Sequence, residues 1–564
     1  MLNGLKVADT ITLPKFLFKL FFALYMFIGM HVTIEHVGGY GLYLPFNIIG
    51  WMFVSLLIGL GLWQIGKTGK ILFSQFHCLC WIGFGLMCLP LLYPNNEHAD
   101  LAIMRLLGLG GGLLLYLSFQ QFRFKKIDLY WFFYILLGGV LIQTFHGLSE
   151  HFLPIESWLR ISIERSFGVL GQNNIMATFL VTGAAVSLFL LLNDKSVDGS
   201  LGKQVMIYSI PLLTSAFFLP LQSRTGYLTF IIALGLLLLF GLQKQKKKQV
   251  AIWLGLVLIG LLIGFKTPYE SRPAKALDYS ENTRMVTYQL TTELIKNNPL
   301  FGVGYGNFLS AFRLHYAQRK QEEPSLKTIG NSNMDHPHNE TLFWMVEGGI
   351  IPLAGLLIIA GGFLIMLWKV KQKKAWAMAG LITPILIHTQ LELPFYLSLI
   401  HWFIFIFLLY CMDEEYGIWH EAKIRLTVFI RIIAILLPII IISYMAITLQ
   451  TARAITRFER TGFSKPSLLV SVNNPRAWQK KYETLVMKLD LGIAKQTKDY
   501  KKLKDYIDWA EGYVKHSPYL FIYYDLATAY QAMGDKEKAW EVYRYAQYLY
   551  PGAKWRDEGE SKNN

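Results

Sequence analysis

The chain has 564 residues, of which 53% are hydrophobic and 15% aromatic, with a formal net charge of +16. Apolar runs of roughly 18 residues or more recur along it, each long enough to cross a bilayer as a helix, which excludes an ordinary soluble domain. The basic excess falls in short loops between those runs, where Lys and Arg orient membrane helices, so it argues against nucleic acid as a partner.

In chain order, thirteen spans are predicted at residues 14–33, 43–64, 71–93, 101–119, 127–147, 173–193, 204–222, 225–242, 249–266, 341–367, 375–393, 397–413 and 425–447. The first run is long enough to stay as a helix rather than be cleaved as a signal. Cys78, Cys80, Cys88 and Cys411 lie inside apolar runs with no CxxC pair, and read as small packing residues. The loops alternate in charge. Lys67 and Lys70, Arg123 to Lys126, Lys195 and Lys203, Lys244 to Lys248, Lys369 to Lys374, and Lys423 with Arg425 mark one side. Loops holding Glu35 and His36, Glu97 and Asp100, and Glu392 mark the other. The positive-inside rule places the basic set, and the N-terminus, in the cytoplasm. Three longer segments then lie outside: residues 148–172, residues 267–340 and the tail from 448 to 564.

The expected architecture is therefore all-α. Residues 1–447 form a polytopic bundle of about thirteen spans that includes the external loop 267–340, and residues 448–564 form an external helical tail. Within the tail, Tyr523, Leu526, Ala527, Tyr530, Gly534, Ala539, Tyr543, Ala546 and Pro551 follow the spacing of a tetratricopeptide repeat at about 520–553. A generic helical hairpin would share much of that spacing. Further helices are expected at about 475–489 and 497–515, since one repeat cannot bury its own face.

Five polar clusters fall on the external side. Asp335-His336-Pro337-His338-Asn339-Glu340 ends the long loop, and Glu347 follows one helical stretch later. Histidine can take or give a proton near neutral pH. Arg224 sits in a tight turn between two apolar runs, where a guanidinium can grip phosphate oxygens. Arg284 precedes an amphipathic stretch that runs into Gly302, Gly304 and Gly306, whose backbone N–H groups could cradle an anion, although a plain turn has the same spacing. Arg165 precedes Gly171-Gln172-Asn173-Asn174, and His388, Gln390 and Glu392 end the eleventh span. Each cluster alone also reads as a helix cap or an interhelical polar contact; it is their gathering on one side that favours chemistry. The chain has no Asp-x-Asp pair suited to a metal-bound nucleotide sugar, no Walker motif and no GxSxG elbow. Outside the cytoplasm an energy source has to arrive pre-activated, and a lipid-linked pyrophosphate fits.

On these residues the chain resembles the bacterial O-antigen ligase and polymerase superfamily, and within it the general O-linked oligosaccharyltransferases of the PglL type. The likeness runs over nearly the whole chain. It is carried by His336-Pro337-His338-Asn339-Glu340 with Glu347-Gly348-Gly349, by Ser223-Arg224-Thr225, Arg284 and Asn298-Pro299-Leu300-Phe301-Gly302-Val303-Gly304, and by His388 with Glu392-Leu393-Pro394. Gln172-Asn173-Asn174 stands where the family carries Asn-Pro-Asn or Gln-Pro-Asn. The resemblance implies transfer of a whole glycan from undecaprenyl pyrophosphate to Ser or Thr of a periplasmic acceptor protein such as a pilin. It implies an inner-membrane location and no metal or other cofactor. His338 would serve as base or orienting group, Arg224 and Arg284 would neutralise the pyrophosphate, and Glu340 or Glu347 would hold the imidazole tautomer. Arg165, Gln172, Asn174, His336, Asn339, Gly302, Gly304, His388 and Glu392 would line the substrate. An O-antigen ligase acting on a lipid A-core acceptor, or a polymerase, would use the same residues. A lipid or glycan transporter would instead show mid-span charges and internal repeats.

Overall fold

Asn173–Asn193 is the helix around which the others gather, because its sequence is apolar on every side and rich in small residues; its apolar window is buried throughout. The computed structural model describes residues 12–94, 98–152, 168–241, 246–267, 274–329, 334–370 and 372–553. Among these, eleven helices are long and apolar enough to cross a membrane. Two more predicted spans form helices of 18 residues, Gln372–Thr389 and Leu399–Tyr416. They pack in the same bundle, against Arg224–Gly241 and Asp100–Gln120 respectively. The second carries Asp413, Glu414 and Glu415 near its end, which lowers its apolar character.

The run at 71–93 begins in strand Lys70–Ser74 before its helix Gln75–Cys88, and two further predicted spans have different limits in the structure. The run at 341–367 is broken into Glu340–Gly348 and Ile350–Lys369. Gly349 between them has φ +72°, and a Cβ there would lie 2.1 Å from the Leu300 carbonyl oxygen, so only glycine fits the break. The last span continues well past residue 447, as Thr427–Arg460. Its 34 residues make a rod of about 50 Å, longer than the roughly 30 Å of a hydrocarbon core. The projecting part, with Ala452, Ile455 and Phe458, packs on Leu469, Trp478 and Leu485 and so anchors the tail.

The two ends of the bundle differ. Lys70–Ser74 and Trp419–Lys423 pair as a two-stranded antiparallel sheet. Arg123 pairs with Glu414 at 3.0 Å, and Lys15 with Asp128 at 2.7 Å, at the same end. Loops that the charge pattern groups on one side are thus joined physically. The opposite end carries the long loop, whose helices Ala274–Asn297 and Phe308–Glu322 share a core with Phe343 and Leu393. Four tail helices follow: Gln479–Thr497, Tyr500–His516, Leu520–Met533 and Lys536–Leu549. The last two form a hairpin through Gly534 at φ +88°, the left-handed turn that ends a helix. The tail folds back over this end: the His98 and His516 rings lie 4.5 Å apart, and Tyr550 covers the Arg313 guanidinium at 4.2 Å.

Candidate functional site

Glu392 is the junction of the site. Helix Gln372–Thr389 stops three residues before it, and Pro394 then opens the next short helix, so the carboxylate is held in a tight connection. One carboxylate oxygen pairs with Nδ1 of His338, and the other accepts from the Arg284 guanidinium at 3.1 Å. Residues 284, 338 and 392, far apart in sequence, therefore share one ion-pair centre. Burial works to raise the Glu392 carboxyl, but the His338 hydrogen bond and the nearby positive charges outweigh it and hold the group below its ordinary range.

His338 is set by its backbone as well. Its φ is +55°, a left-handed conformation that few non-glycine residues adopt and that gathers at functional sites. Its N–H donates to Nδ1 of His336 at 3.2 Å, and Tyr288 donates to its carbonyl at 3.3 Å. The two histidine rings are perpendicular with centroids 4.5 Å apart. Asn339 caps the following helix by accepting from the Leu342 N–H at 2.9 Å, while its amide donates to the Gln390 carbonyl at 2.9 Å. The histidine loop is thereby laced to the connection that holds Glu392.

Burial, and the neighbouring His338, lower the His336 pKa to about 4, which suits the unprotonated Nδ1 that accepts the His338 N–H. The sign follows. Between about pH 6.5 and 4 the unfolded chain holds a proton here that the folded chain refuses, so stability falls as pH drops through that window. His336→Gln is expected to lose less melting temperature than the parent as pH is lowered across it. Parallel melting curves for the two proteins would contradict a buried neutral imidazole.

Ligand atoms of His336, His338 and Glu392 all lie within 4.8 Å of one another, a spacing that could hold a metal ion. The Arg284 cation on the same carboxylate competes with such an ion.

Arg224 opens helix Arg224–Gly241 and is exposed, next to Gln222, which also has a left-handed φ of +48°. Its turn is linked to the centre through hydrogen bonds. Ser223 donates to the Asn174 side chain at 2.8 Å, Thr178 donates to the Asn174 carbonyl at 2.8 Å, and Thr178 contacts Nδ1 of His388 at 2.9 Å. His388 is fully buried and contacts Thr178 rather than an open surface. Gln172 is exposed at the start of the same helix as Asn174. Arg165 lies outside the described residues.

Three expectations change. The His338 imidazole pairs with Glu392, not with Glu340 or Glu347. Glu340 instead accepts from Trp344 at 2.8 Å and Tyr396 at 3.2 Å. Glu347 forms a 2.7 Å ion pair with Arg105, because a guanidinium buried between aromatic rings requires a counter-charge. The N–H groups of Gly302, Val303, Gly304 and Gly306 are all donated within the protein, two of them to Glu347. A Cβ on Gly302 would lie 2.5 Å from the Glu347 backbone, so this turn is a clasp against a helix rather than a cradle for phosphate. Arg105, Tyr288 and Thr178 were not among the sequence candidates. Arg105 carried a signal, since a lone arginine in an apolar run needs a partner; Tyr288 and Thr178 carried none.

Residues 210–357 match a family model described as O-antigen ligase. Residues 376–561 match a model described as virulence factor membrane-bound polymerase, C-terminal. The first match contains Arg224, Arg284, His336 and His338, and the second contains His388, Glu392 and the tail helices. No curated protein matches the chain.

Proposed function

The chain belongs to the O-antigen ligase and polymerase superfamily, and from that premise we propose that it is an oligosaccharyltransferase that moves a preassembled glycan from undecaprenyl pyrophosphate to Ser or Thr of a periplasmic protein, such as a pilin. The observation that carries this reading is the Glu392 carboxylate shared by His338 and Arg284. A hydroxyl is a weak nucleophile and needs a positioned base, and a sugar–phosphate bond breaks more easily when its departing charge is neutralised.

In this reading Glu392 fixes the proton of His338 on Nδ1, which leaves Nε2 to accept the acceptor's hydroxyl proton. The acceptor oxygen forms the new bond to the anomeric carbon, and the bond from that carbon to the phosphate oxygen breaks. The lipid pyrophosphate leaves with both bonding electrons. Arg284 and Arg224 balance its charge, with Gln172, Asn174 and Asn339 arranging polar contacts around the donor. The reaction lies at the end of the bundle opposite the basic loops, which the positive-inside rule assigns to the periplasmic face of the inner membrane. The tail that folds over this end favours a protein acceptor, and we read its last hairpin as a tetratricopeptide-like unit. A ligase or polymerase reading keeps the same donor chemistry and replaces the protein with a glycan acceptor.

Purified protein supplied with the lipid-linked glycan and a pilin is expected to yield glycosylated Ser or Thr by mass spectrometry. His338→Ala is expected to abolish the product while remaining folded in the membrane. Product formed at near the parent rate by His338→Ala would overturn the role of the imidazole. Glycan found only on lipid A-core or on another glycan would assign the ligase or polymerase reading instead.

A further inference from the structure

The turn that follows helix Ala274–Asn297 takes no part in the transfer steps above, yet it carries two large apolar side chains on the protein's surface. Leu300 is 61% exposed and Phe301 50%. Single exposed apolar residues are ordinary, but these two belong to a patch built from three segments. The Phe301 ring meets the Tyr93 ring edge-on, with centroids 4.9 Å apart. The Leu300 carbonyl lies against Gly349, and the Pro299 carbonyl accepts from the Ile350 N–H at 3.1 Å. Tyr93 donates to the Gly348 carbonyl at 3.3 Å. Beside them, Ile350 is 51% exposed and Leu92 81%.

The height of this patch follows from the spans it touches. Ile350–Lys369 has 20 residues, about 30 Å of helix, which matches the thickness of a hydrocarbon core. Lys369 ends it among the basic loops at one face, so Ile350 stands at the hydrocarbon edge of the opposite face. Gln75–Leu92 is also long and apolar enough to cross, and it ends beside the same patch. Neither helix of the long loop is such a span, yet Pro299, Leu300 and Phe301 lie level with the ends of two that are.

Composition and continuity select the occupant. From Asn297 to Gly304 the chain holds no acidic or basic residue, and the exposed Lys296 precedes it. Lipid favours this arrangement at the hydrocarbon edge: apolar side chains enter, a tyrosine sits at the headgroups and an ammonium reaches phosphate. Ile350, Leu357 and Leu364 recur at every second helical turn, share one face of their span and are all exposed. That lipid-facing stripe leads straight to the turn. We propose that the Pro299–Phe301 turn is a membrane anchor, the surface by which the long loop docks on phospholipid of the leaflet on its own side. Its inner side is already held, since the Val303 and Gly304 N–H groups donate to the Val346 and Glu347 carbonyls. Lipid outside and helix Glu340–Gly348 inside therefore grip the same turn. The inference does not depend on which acceptor the site serves.

The full chain, with its four native cysteines replaced by alanine, is returned to vesicles of phosphatidylethanolamine and phosphatidylglycerol. A bimane label is attached through Phe301→Cys or, separately, Leu300→Cys. Leu357→Cys serves as the lipid-facing control, and Lys504→Cys, exposed on a tail helix, as the water-facing one. Nitroxide-bearing lipids read contact with the bilayer, and iodide reads contact with water. Both turn labels are expected to be quenched by the lipid nitroxide at least about two-fold more than the Lys504→Cys label, and by iodide at least about two-fold less. A nitroxide near the headgroup is expected to quench them better than one at the chain end, the reverse of Leu357→Cys. Melting temperatures equal to that of the cysteine-free parent show that the labels report on the folded protein. Iodide quenching equal to that of Lys504→Cys would overturn the anchor. So would shielding from both quenchers, the result that a protein partner or a second copy seated on the patch would give.

Discussion

Glu392→Gln is expected to slow glycan transfer by about 100- to 10,000-fold, the range lost when a positioned general base fails. The substitution keeps the volume of the side chain and removes its charge. A glutamine oxygen can still meet Nδ1 of His338, but its amide group then points hydrogens at the Arg284 guanidinium, where Glu392 now accepts at 3.1 Å. One partner has to be released. If His338 and Glu392 act as a unit, combining His338→Ala with Glu392→Gln adds almost nothing to the loss from His338→Ala alone. Rates measured for the two single variants and the double variant decide this. Losses that multiply would mean that the two residues act independently. An unchanged melting temperature for Glu392→Gln would separate this role from one in holding the fold.

Glu347→Ala is expected to act on the fold, with a cost of about 3–5 kcal/mol for leaving a buried charge unpaired. Arg105 and Glu347 are 7% and 4% exposed, and the guanidinium lies 4.0 Å from the Trp344 ring and 4.4 Å from the Phe343 ring. Loss of the carboxylate also removes the acceptor of the Gly306 and Phe308 N–H groups. The helix that carries Glu347 begins at Glu340, immediately after His338 and Asn339. Loosening its far end therefore disturbs the histidine loop as well. Thermal unfolding in detergent checks the prediction. Replacing both partners, as Arg105→Met with Glu347→Met, is expected to restore much of the melting temperature, because no charge is then stranded. A Glu347→Ala protein that melts like the parent would show that solvent reaches Arg105 after all.

The sequence by itself determined that the chain is a helical membrane bundle, since long apolar runs have only one stable form in lipid. It determined which loops share an end, because charge follows topology: the basic loops around Lys70 and Lys423 were placed on one side, and in the structure Lys70–Ser74 pairs there with Trp419–Lys423. It also drew attention to His338, Arg284 and Glu392 as members of polar clusters gathered on one side of the membrane. Which carboxylate meets which cation was decided only by the tertiary structure. Glu340, Glu347 and Glu392 are chemically alike, and the first two are nearer His338 in sequence, yet Glu392 reaches the imidazole because the connection after Thr389 is laced to Asn339. The fate of the glycine turn was settled in the same way, by the approach of Glu347 to Gly302. Periodicity and charge are local properties and can be read along a line. Ion-pair partners are chosen by the packing of segments 54 to 242 residues apart, and no spacing in the sequence records that choice.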